Sequence, residues 1–187
     1  GSFDVLYLLS LFMTKSMYIT NTGNWIYNIE ADEVFRTGTK VGELWMISVT
    51  ALYLGLQHIE KGDYARTIDI AGKIENLGSS FENSFAIAQG YRVRSVCLMK
   101  FRKFEYLQEL IDEAKVFLHD TDNKLHVFAI ELVACQLNVH NNNLESAVKA
   151  FKEAEKYRET VKSIRSYYTS YLVAKIQLGL ALLEGKS

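Results

Sequence analysis

Apolar residues follow one another at intervals of three and four along most of the chain, and no segment alternates strictly between apolar and polar residues. This spacing is typical of α-helices with a buried face, whereas half-buried strands need a period of two. The pattern also returns every forty residues, with Tyr64, Phe104 and Leu144 each following a polar turn. The sequence therefore predicts an all-α fold built from repeated helical hairpins.

Other positions of the repeat also hold residues of similar type. Nine residues before each anchor there is a small or medium-sized residue within an apolar helix, which would let that helix approach its partner closely. We expect a larger side chain there to overpack the interface, at a cost of about 1–3 kcal/mol. These three residues are Gly55, Ser95 and Cys135. The recurring positions after the anchors are Thr67, Leu107, Ala147, Ala71, Ile111, Phe151, Ile74, Ala114 and Ala154.

The predicted layout is four hairpins followed by a terminal helix. The first helix of each hairpin (helix A) is predicted over about 3–20, 41–60, 81–100 and 123–140, and the second (helix B) over about 24–36, 64–76, 104–118 and 144–158. The hairpins thus cover about 3–37, 41–77, 80–118 and 122–158, and the terminal helix about 160–184, in a single domain over 3–187. The opening Gly1-Ser2 is typical of a tag-cleavage scar, so we expect a piece of a longer polypeptide.

Polar residues and glycines suggest where helices begin and end. We expect Gly78 to end a helix, and Ser79 with Glu82 to form the capping box of the next. The segment 120–122 offers side chains that could cap the fourth helix A. In the terminal helix, Leu178-Gly179 resembles Leu54-Gly55 at a shifted spacing, which indicates an element that has drifted or that caps the stack.

Composition narrows the class of protein. The chain has 187 residues, of which 49% are hydrophobic and 23% charged, as in ordinary globular proteins, and it contains no proline, which suits helices joined by short loops. A net charge of −1 gives no overall attraction to nucleic acid or to an anionic membrane. The apolar run Val5–Met13 is shorter than the roughly 20 residues needed to cross a bilayer. We therefore expect a cytoplasmic protein without a membrane partner, and the overall charge disfavours nucleic acid as a partner without excluding a local basic patch.

No residue pattern points to catalysis or to a cofactor. Cys97 and Cys135 fall within apolar helical patterns, so we expect buried, reduced packing residues. The histidines show no metal-ligand spacing, and no cysteine lies near them at such spacing. We predict a non-catalytic chain without a metal site or cofactor. The four histidines are His58, His119, His126 and His140.

Leu54-Gly55, the turn at 62–64 and the later Ala147, Phe151 and Ala154 resemble the tetratricopeptide repeat. That family has a Leu-Gly pair in helix A, a Gly-Asp/Asn-aromatic turn, and alanine, aromatic and alanine along helix B. The resemblance implies a right-handed superhelical solenoid of about four hairpins plus a terminal helix. The family's usual period is about 34 residues with a closing proline, whereas this chain repeats every forty without one. Longer repeats of this kind are similar to those in the helical arms of large signalling and regulatory proteins.

In the tetratricopeptide family, helix A residues line a concave groove, so the resemblance implies a partner-binding groove for an apolar helix or peptide. The lysine–asparagine clamp of chaperone-binding members is replaced by Leu52 and Leu56. A second interpretation is that Leu52, Leu56 and Ile59 belong to the core of a repeat. The predicted groove residues are Leu52, Leu56, Ile59, Gln89, Arg92, Val96, Met99, Lys100, Leu132, Gln136, Val139 and His140.

Three functions are compatible with these patterns. The first is a non-catalytic protein-interaction module of a larger signalling or transcription-regulatory protein. The second is a regulatory sensor arm that binds a small molecule or peptide and controls an attached ATPase, cyclase or kinase domain. The third, an RNA-binding solenoid, depends on basic residues between Arg92 and Lys103 that are interleaved with aromatics, a stretch that also fits a solvated face. The end repeat carries four aromatics that could pack equally against a missing repeat or against a second copy, which leaves a homo-oligomer open; they are Phe3, Tyr7, Trp25 and Tyr27.

Overall fold

The computed structural model describes residues 2–24 and 29–185, without the side chains of Ser2 and Phe3, and all regular structure in these ranges is helical. The predicted all-α class is confirmed. Trp25 and Tyr27 lie outside the described residues. The helices are α1 (Ser2–Thr22), α2 (Ala31–Thr39), α3 (Leu44–Glu60), α4 (Tyr64–Ser80), α5 (Ser84–Lys100), α6 (Phe104–His119), α7 (Lys124–His140), α8 (Leu144–Glu155), α9 (Arg158–Val161) and α10 (Arg165–Glu184).

The central helices begin at a constant interval. Six successive helices, α3 to α8, start at residues 44, 64, 84, 104, 124 and 144. The backbone therefore repeats every twenty residues, and the forty-residue period of the side chains corresponds to two helices. Outside this region the helices differ more from the prediction: α2 begins at Ala31 instead of about residue 24, and α10 begins at Arg165 instead of about residue 160.

One type of turn joins most of these helices. After α3, Gly62 has a φ of 77°, its N–H donates to Ile59 O at 3.0 Å, and the Asp63 N–H donates to His58 O at 2.8 Å. This pair of bonds satisfies the last carbonyls of the helix in the Schellman manner. The same pair of bonds follows α4, α5 and α7. The left-handed position in those turns is occupied by Glu82, Arg102 and Asn142.

The predicted capping residues around Gly78 were wrong. Gly78 lies inside α4, and a β-carbon added there would be 2.7 Å from the backbone nitrogen of Ile87, so this glycine serves close helix approach. The Ser79 hydroxyl donates to Glu75 O within the same helix. The cap of α5 is instead Asn83, whose side-chain oxygen accepts the Ala86 N–H at 2.9 Å.

The start of α7 also differs from expectation. The residue before the helix is Asn123, which makes no side-chain capping bond, and none of the residues at 120–122 takes that position. The turn there is held by a bond from the Thr121 N–H to Leu118 O at 3.1 Å. This is the one junction between α3 and α8, all within the described residues, that lacks the Schellman pair.

The chain divides into two compact units, 1–97 and 98–187, with the boundary inside α5. The single domain predicted over 3–187 did not include this division. In the first unit α3 lies against α1, α2 and α4, and Ile47, Leu54 and Ile74 belong to the apolar core. The Gln57 side chain joins α3 to α1 by donating to Ser16 O at 3.1 Å.

In the second unit α7 is the central helix and lies against α6, α8, α9 and α10. Aromatic rings join three of these helices. The ring of Tyr171 on α10 is stacked 5.3 Å from that of Phe151 on α8 and 6.2 Å from that of Phe128 on α7, measured between centroids. The Tyr171 hydroxyl donates to Glu155 at 2.9 Å, so its polar end is also satisfied.

The forty-residue pattern corresponds to real equivalence of environment. Each recurring position of helix B is buried in α4, α6 and α8, and each small position of helix A is buried in α3, α5 and α7. Tyr64, Phe104 and Leu144 are all partly buried. Helix B residues are buried along one stripe, whereas most residues in the middle of α3, α5 and α7 are buried on every side. No helix in the described ranges is both long and apolar enough to span a membrane.

Candidate functional site

The predicted groove residues of the first unit are mostly closed to solvent. Leu52 is 2% exposed and belongs to the apolar core, against which Leu56 packs. Gln89 and Arg92 are also buried, at 3% and 4% exposure, and Ile59 is buried, while Val96 is partly accessible. A buried side chain cannot contact a partner without a rearrangement, and only Leu56 and Val96 of this set are partly accessible, so we do not include these residues in a proposed binding surface.

The groove residues of the second unit are more accessible, although several of them have partners within the chain. Leu132 is buried, Met99 and Val139 are partly buried, and Lys100 is exposed. His140 is exposed, with its ring centroid 4.0 Å from that of Phe104. The partly buried Gln136 side chain donates to Gln177 of α10 at 2.9 Å.

The basic stretch between Arg92 and Lys103 does not form one exposed cationic face. Arg92 is buried, and Arg94 Nε lies 3.4 Å from a Glu75 carboxylate oxygen. The Lys103 ammonium lies 5.2 Å from the ring centroid of Phe101. Packing and ion pairing within the chain therefore account for much of this stretch.

Both cysteines are buried and free of disulfide bonds, which confirms the prediction of reduced packing residues. Burial raises the pKa of the Cys97 thiol to about 11, and it raises the pKa of the Cys135 thiol to about 11 as well. Such thiols are protonated near neutral pH and are poor nucleophiles. No group of metal-binding side chains occurs within residues 2–24 and 29–185.

A cavity of about 370 Å³ lies between α6, α7 and α8 in the second unit. Leu118, Val127 and Ile130 form its apolar part, and Lys115, Glu131 and Glu153 its charged part. Lys115 on α6 and Glu131 on α7 are joined by an ion pair of 2.8 Å, and Glu131 is only 8% exposed. The cavity opens beside the irregular turn that precedes α7, and it combines a buried carboxylate with apolar walls.

The outer face of α10, defined by six large side chains, carries more exposed large apolar residues than any other helix in the described residues. These side chains project within roughly 80° of Ile176 on a helix of 3.6 residues per turn. They are between 37% and 67% exposed. The six residues are Tyr168, Leu172, Val173, Ile176, Leu180 and Leu183.

The opposite face of α10 packs into the second unit. Tyr167, Tyr171, Ala174 and Leu178 are buried there, against α7 and α8 among other elements. The helix is therefore apolar on both faces but covered on only one. A helix that is apolar all round is normally buried all round, as α3, α5 and α7 nearly are.

Gly179 lies on the exposed side of α10, about 60° around the helix from Ile176. The similar Gly55 on α3 faces α5, and a β-carbon added to it would lie 2.7 Å from Val93 Cγ1. A β-carbon added to Gly179 would have no atom within 4 Å. The sequence signal for this face was present in the Leu178-Gly179 pair, but only the structure shows that the face is uncovered.

Comparison with protein-family models, with curated proteins and with solved structures finds no match to this chain. The likeness to tetratricopeptide repeats therefore remains a prediction from the residues quoted above. Right-handed winding of the helices and the concave groove remain predictions on the same basis.

Proposed function

We propose that this chain is a non-catalytic protein-interaction module that takes up an apolar helix on the outer face of α10. The observation that carries the proposal is the uncovered apolar face of a helix whose opposite face is fully packed. Contiguous exposed apolar patches larger than a few hundred Å² are rare on monomeric proteins, and such patches often mark interaction sites. We carry over from the sequence the expectation that the module serves a larger signalling or regulatory protein.

The way in which helices meet inside the chain supports a helix as the partner element. At Gly55 the absence of a side chain lets Val93 of α5 approach α3 closely. Gly179 provides a similar space next to Ile176 and Leu180. An amphipathic partner helix would bury its apolar anchors in such a surface at positions spaced by three and four residues.

The proposal can be tested with a display library of amphipathic helical peptides panned against the whole chain. We expect enriched peptides to lose binding to Ile176→Glu, because a buried carboxylate without a partner is costly in an apolar interface. The matched control is Val116→Glu on α6, which places the same charge at another exposed apolar position. Failure to enrich any peptide, or equal binding to both variants, would refute the proposal.

The cavity between α6, α7 and α8 supports a second candidate, the sensor arm. A ligand that replaced the Lys115–Glu131 and Lys156–Glu153 ion pairs would meet carboxylates for a cationic group and an ammonium for an anionic group. The apolar wall suits a short aliphatic body. This combination favours a small zwitterion, such as an amino acid or dipeptide. In a thermal-shift screen, a ligand at 100 times its Kd should add about 2.7 kcal/mol of stability. The ligand-dependent rise in stability should disappear in Glu131→Gln. A screen in which no amino acid or dipeptide raises the Tm would exclude the sensor arm.

A further inference from the structure

The charges on the outer face of α10 are arranged so that a second copy of the same helix would complement them. Arg165, at the N-terminal end, and Glu184, at the C-terminal end, are exposed. Neither has an ion-pair partner among the described residues. The six apolar residues of the face lie between them. The remaining cation of α10, Lys175, lies at the edge of the face, 5.8 Å from the Tyr171 ring centroid.

We infer that two copies of this chain associate through antiparallel pairing of their α10 outer faces. This inference rests on the proposed function, because it names the partner helix of the same face. In an antiparallel pair with twofold symmetry, Arg165 of each copy lies beside Glu184 of the other, which gives two opposite-charge pairs. A parallel pair would instead bring like charges together, and the helix dipoles also favour the antiparallel arrangement.

In the same register one pair of apolar residues of the face comes into opposition, while Leu172 and Leu180 lie opposite Gln177 and Thr169. Pairing Arg165 with Glu184 centres the interface between Ala174 and Lys175, and this centre also places Val173 of one copy beside Ile176 of the other. Val173 and Ile176 are 42% and 62% exposed, so both have surface to bury. Ile176 lies close to the centre of this interface, and each of its contacts occurs twice across the twofold axis. It should therefore contribute strongly to the affinity of the dimer.

Sedimentation velocity of the whole chain over a wide range of concentrations tests the inference. We expect a monomer–dimer equilibrium whose Kd rises roughly tenfold or more in Ile176→Glu, with an unchanged circular dichroism spectrum. Arg165→Glu and Glu184→Arg should each weaken the dimer, on the order of tenfold, because each replaces two attractive pairs by two repulsive ones. The double variant should regain most of the wild-type affinity, since the pairs are restored with opposite polarity.

Lys149→Glu is the matched control, because it reverses an exposed charge on α8 away from the α10 face. It should leave the Kd unchanged. A chain that remains monomeric, a dimer insensitive to Ile176→Glu, or a double variant no better than the single ones would each overturn the inference. Loss of the dimer in Tyr18→Glu but not in Ile176→Glu would assign self-association to the exposed face of α1 instead. A monomer that still binds library peptides through Ile176 would refute self-pairing and leave the proposed function standing.

Discussion

A pair of glycine substitutions can test whether close helix approach at the small-residue position maintains the repeat. Gly55 lies in α3 and Gly72 in α4, both in helix interiors. A β-carbon at Gly55 would be 2.7 Å from Val93 Cγ1, closer than two carbon atoms can pack, whereas one at Gly72 would have no atom within 4 Å. The same substitution, glycine to alanine, therefore adds a steric conflict at one site and none at the other.

The magnitude follows from two opposing terms. Alanine in place of glycine in a helix interior stabilises by about 1 kcal/mol, and this gain should be seen in full for Gly72→Ala. At Gly55 the gain is offset by overpacking against a stiff β-branched side chain, which costs about 1–3 kcal/mol. The free energies of unfolding of the two variants should therefore differ by about 2 kcal/mol, or roughly 4–8 °C in Tm for a chain of this size. Gly55→Leu should lower the unfolding midpoint further.

Urea and thermal unfolding followed by circular dichroism would measure the difference. Combining Gly55→Ala with Val93→Ala removes the conflicting carbon, so the double-mutant cycle should show a coupling energy of about 1–3 kcal/mol. If Gly55→Ala stabilises the chain as much as Gly72→Ala does, or if the cycle shows no coupling, then close approach of α3 and α5 at this position is not what excludes a side chain.

The remaining predictions concern turns, thiols and acid stability. Arg102→Gly and Glu82→Gly should each raise the free energy of unfolding by about 1 kcal/mol. An L-residue at positive φ costs about 1–2 kcal/mol, and the greater entropy loss of glycine on folding offsets about 0.5–1 kcal/mol of the relief. Urea unfolding measures the change; the control Arg102→Ala keeps the β-carbon and should show no gain, and an equal gain in that control would contradict the explanation. Cys97 and Cys135 should react with a thiol reagent only upon unfolding, and a rapid colour change in the native protein would contradict their burial. Burial lowers the pKa of His58 below 6.5, so the folded chain binds this proton less readily than the unfolded chain. The stability that depends on neutral His58 is therefore present above about pH 6.5 and is lost as the pH falls through the folded pKa. In His58→Gln the free energy of unfolding should fall less on acidification, and an unchanged dependence on pH would refute this.

Much of the fold could be predicted because core positions return in equivalent surroundings. Thr67, Leu107 and Ala147 differ in chemistry, yet all three are buried at the same place on helix B. A helix that must bury one stripe against its neighbours needs an apolar or small residue at fixed positions, whatever the residue type. The spacing of such residues therefore predicts the helices more reliably than any single residue does.

Helix ends and burial of polar residues were harder to predict, for separate physical reasons. Glu82 and Arg102 adopt positive φ without being glycine, so composition gives no sign of the turn, while Gly78 suggests a helix end but lies inside α4. Arg92 and Gln89 are polar and were assigned to an open groove, yet both are buried. Periodicity identifies the face of a helix to which a residue belongs, but not whether another helix covers that face.

The difference between a twenty-residue backbone repeat and a forty-residue sequence repeat has one cause. Helices α3 to α7 have 16 or 17 residues each and are mostly followed by the same turn, so the starting residues of α3 to α8 are evenly spaced. Their surroundings differ, because α3, α5 and α7 are buried on most sides, whereas α4, α6 and α8 are buried along one stripe. The backbone therefore repeats at every helix, whereas the residue types required by burial repeat only at every second helix. By this criterion α10 has the apolar composition of a helix A with the burial of a helix B, which is why its outer face is where we expect a partner to bind.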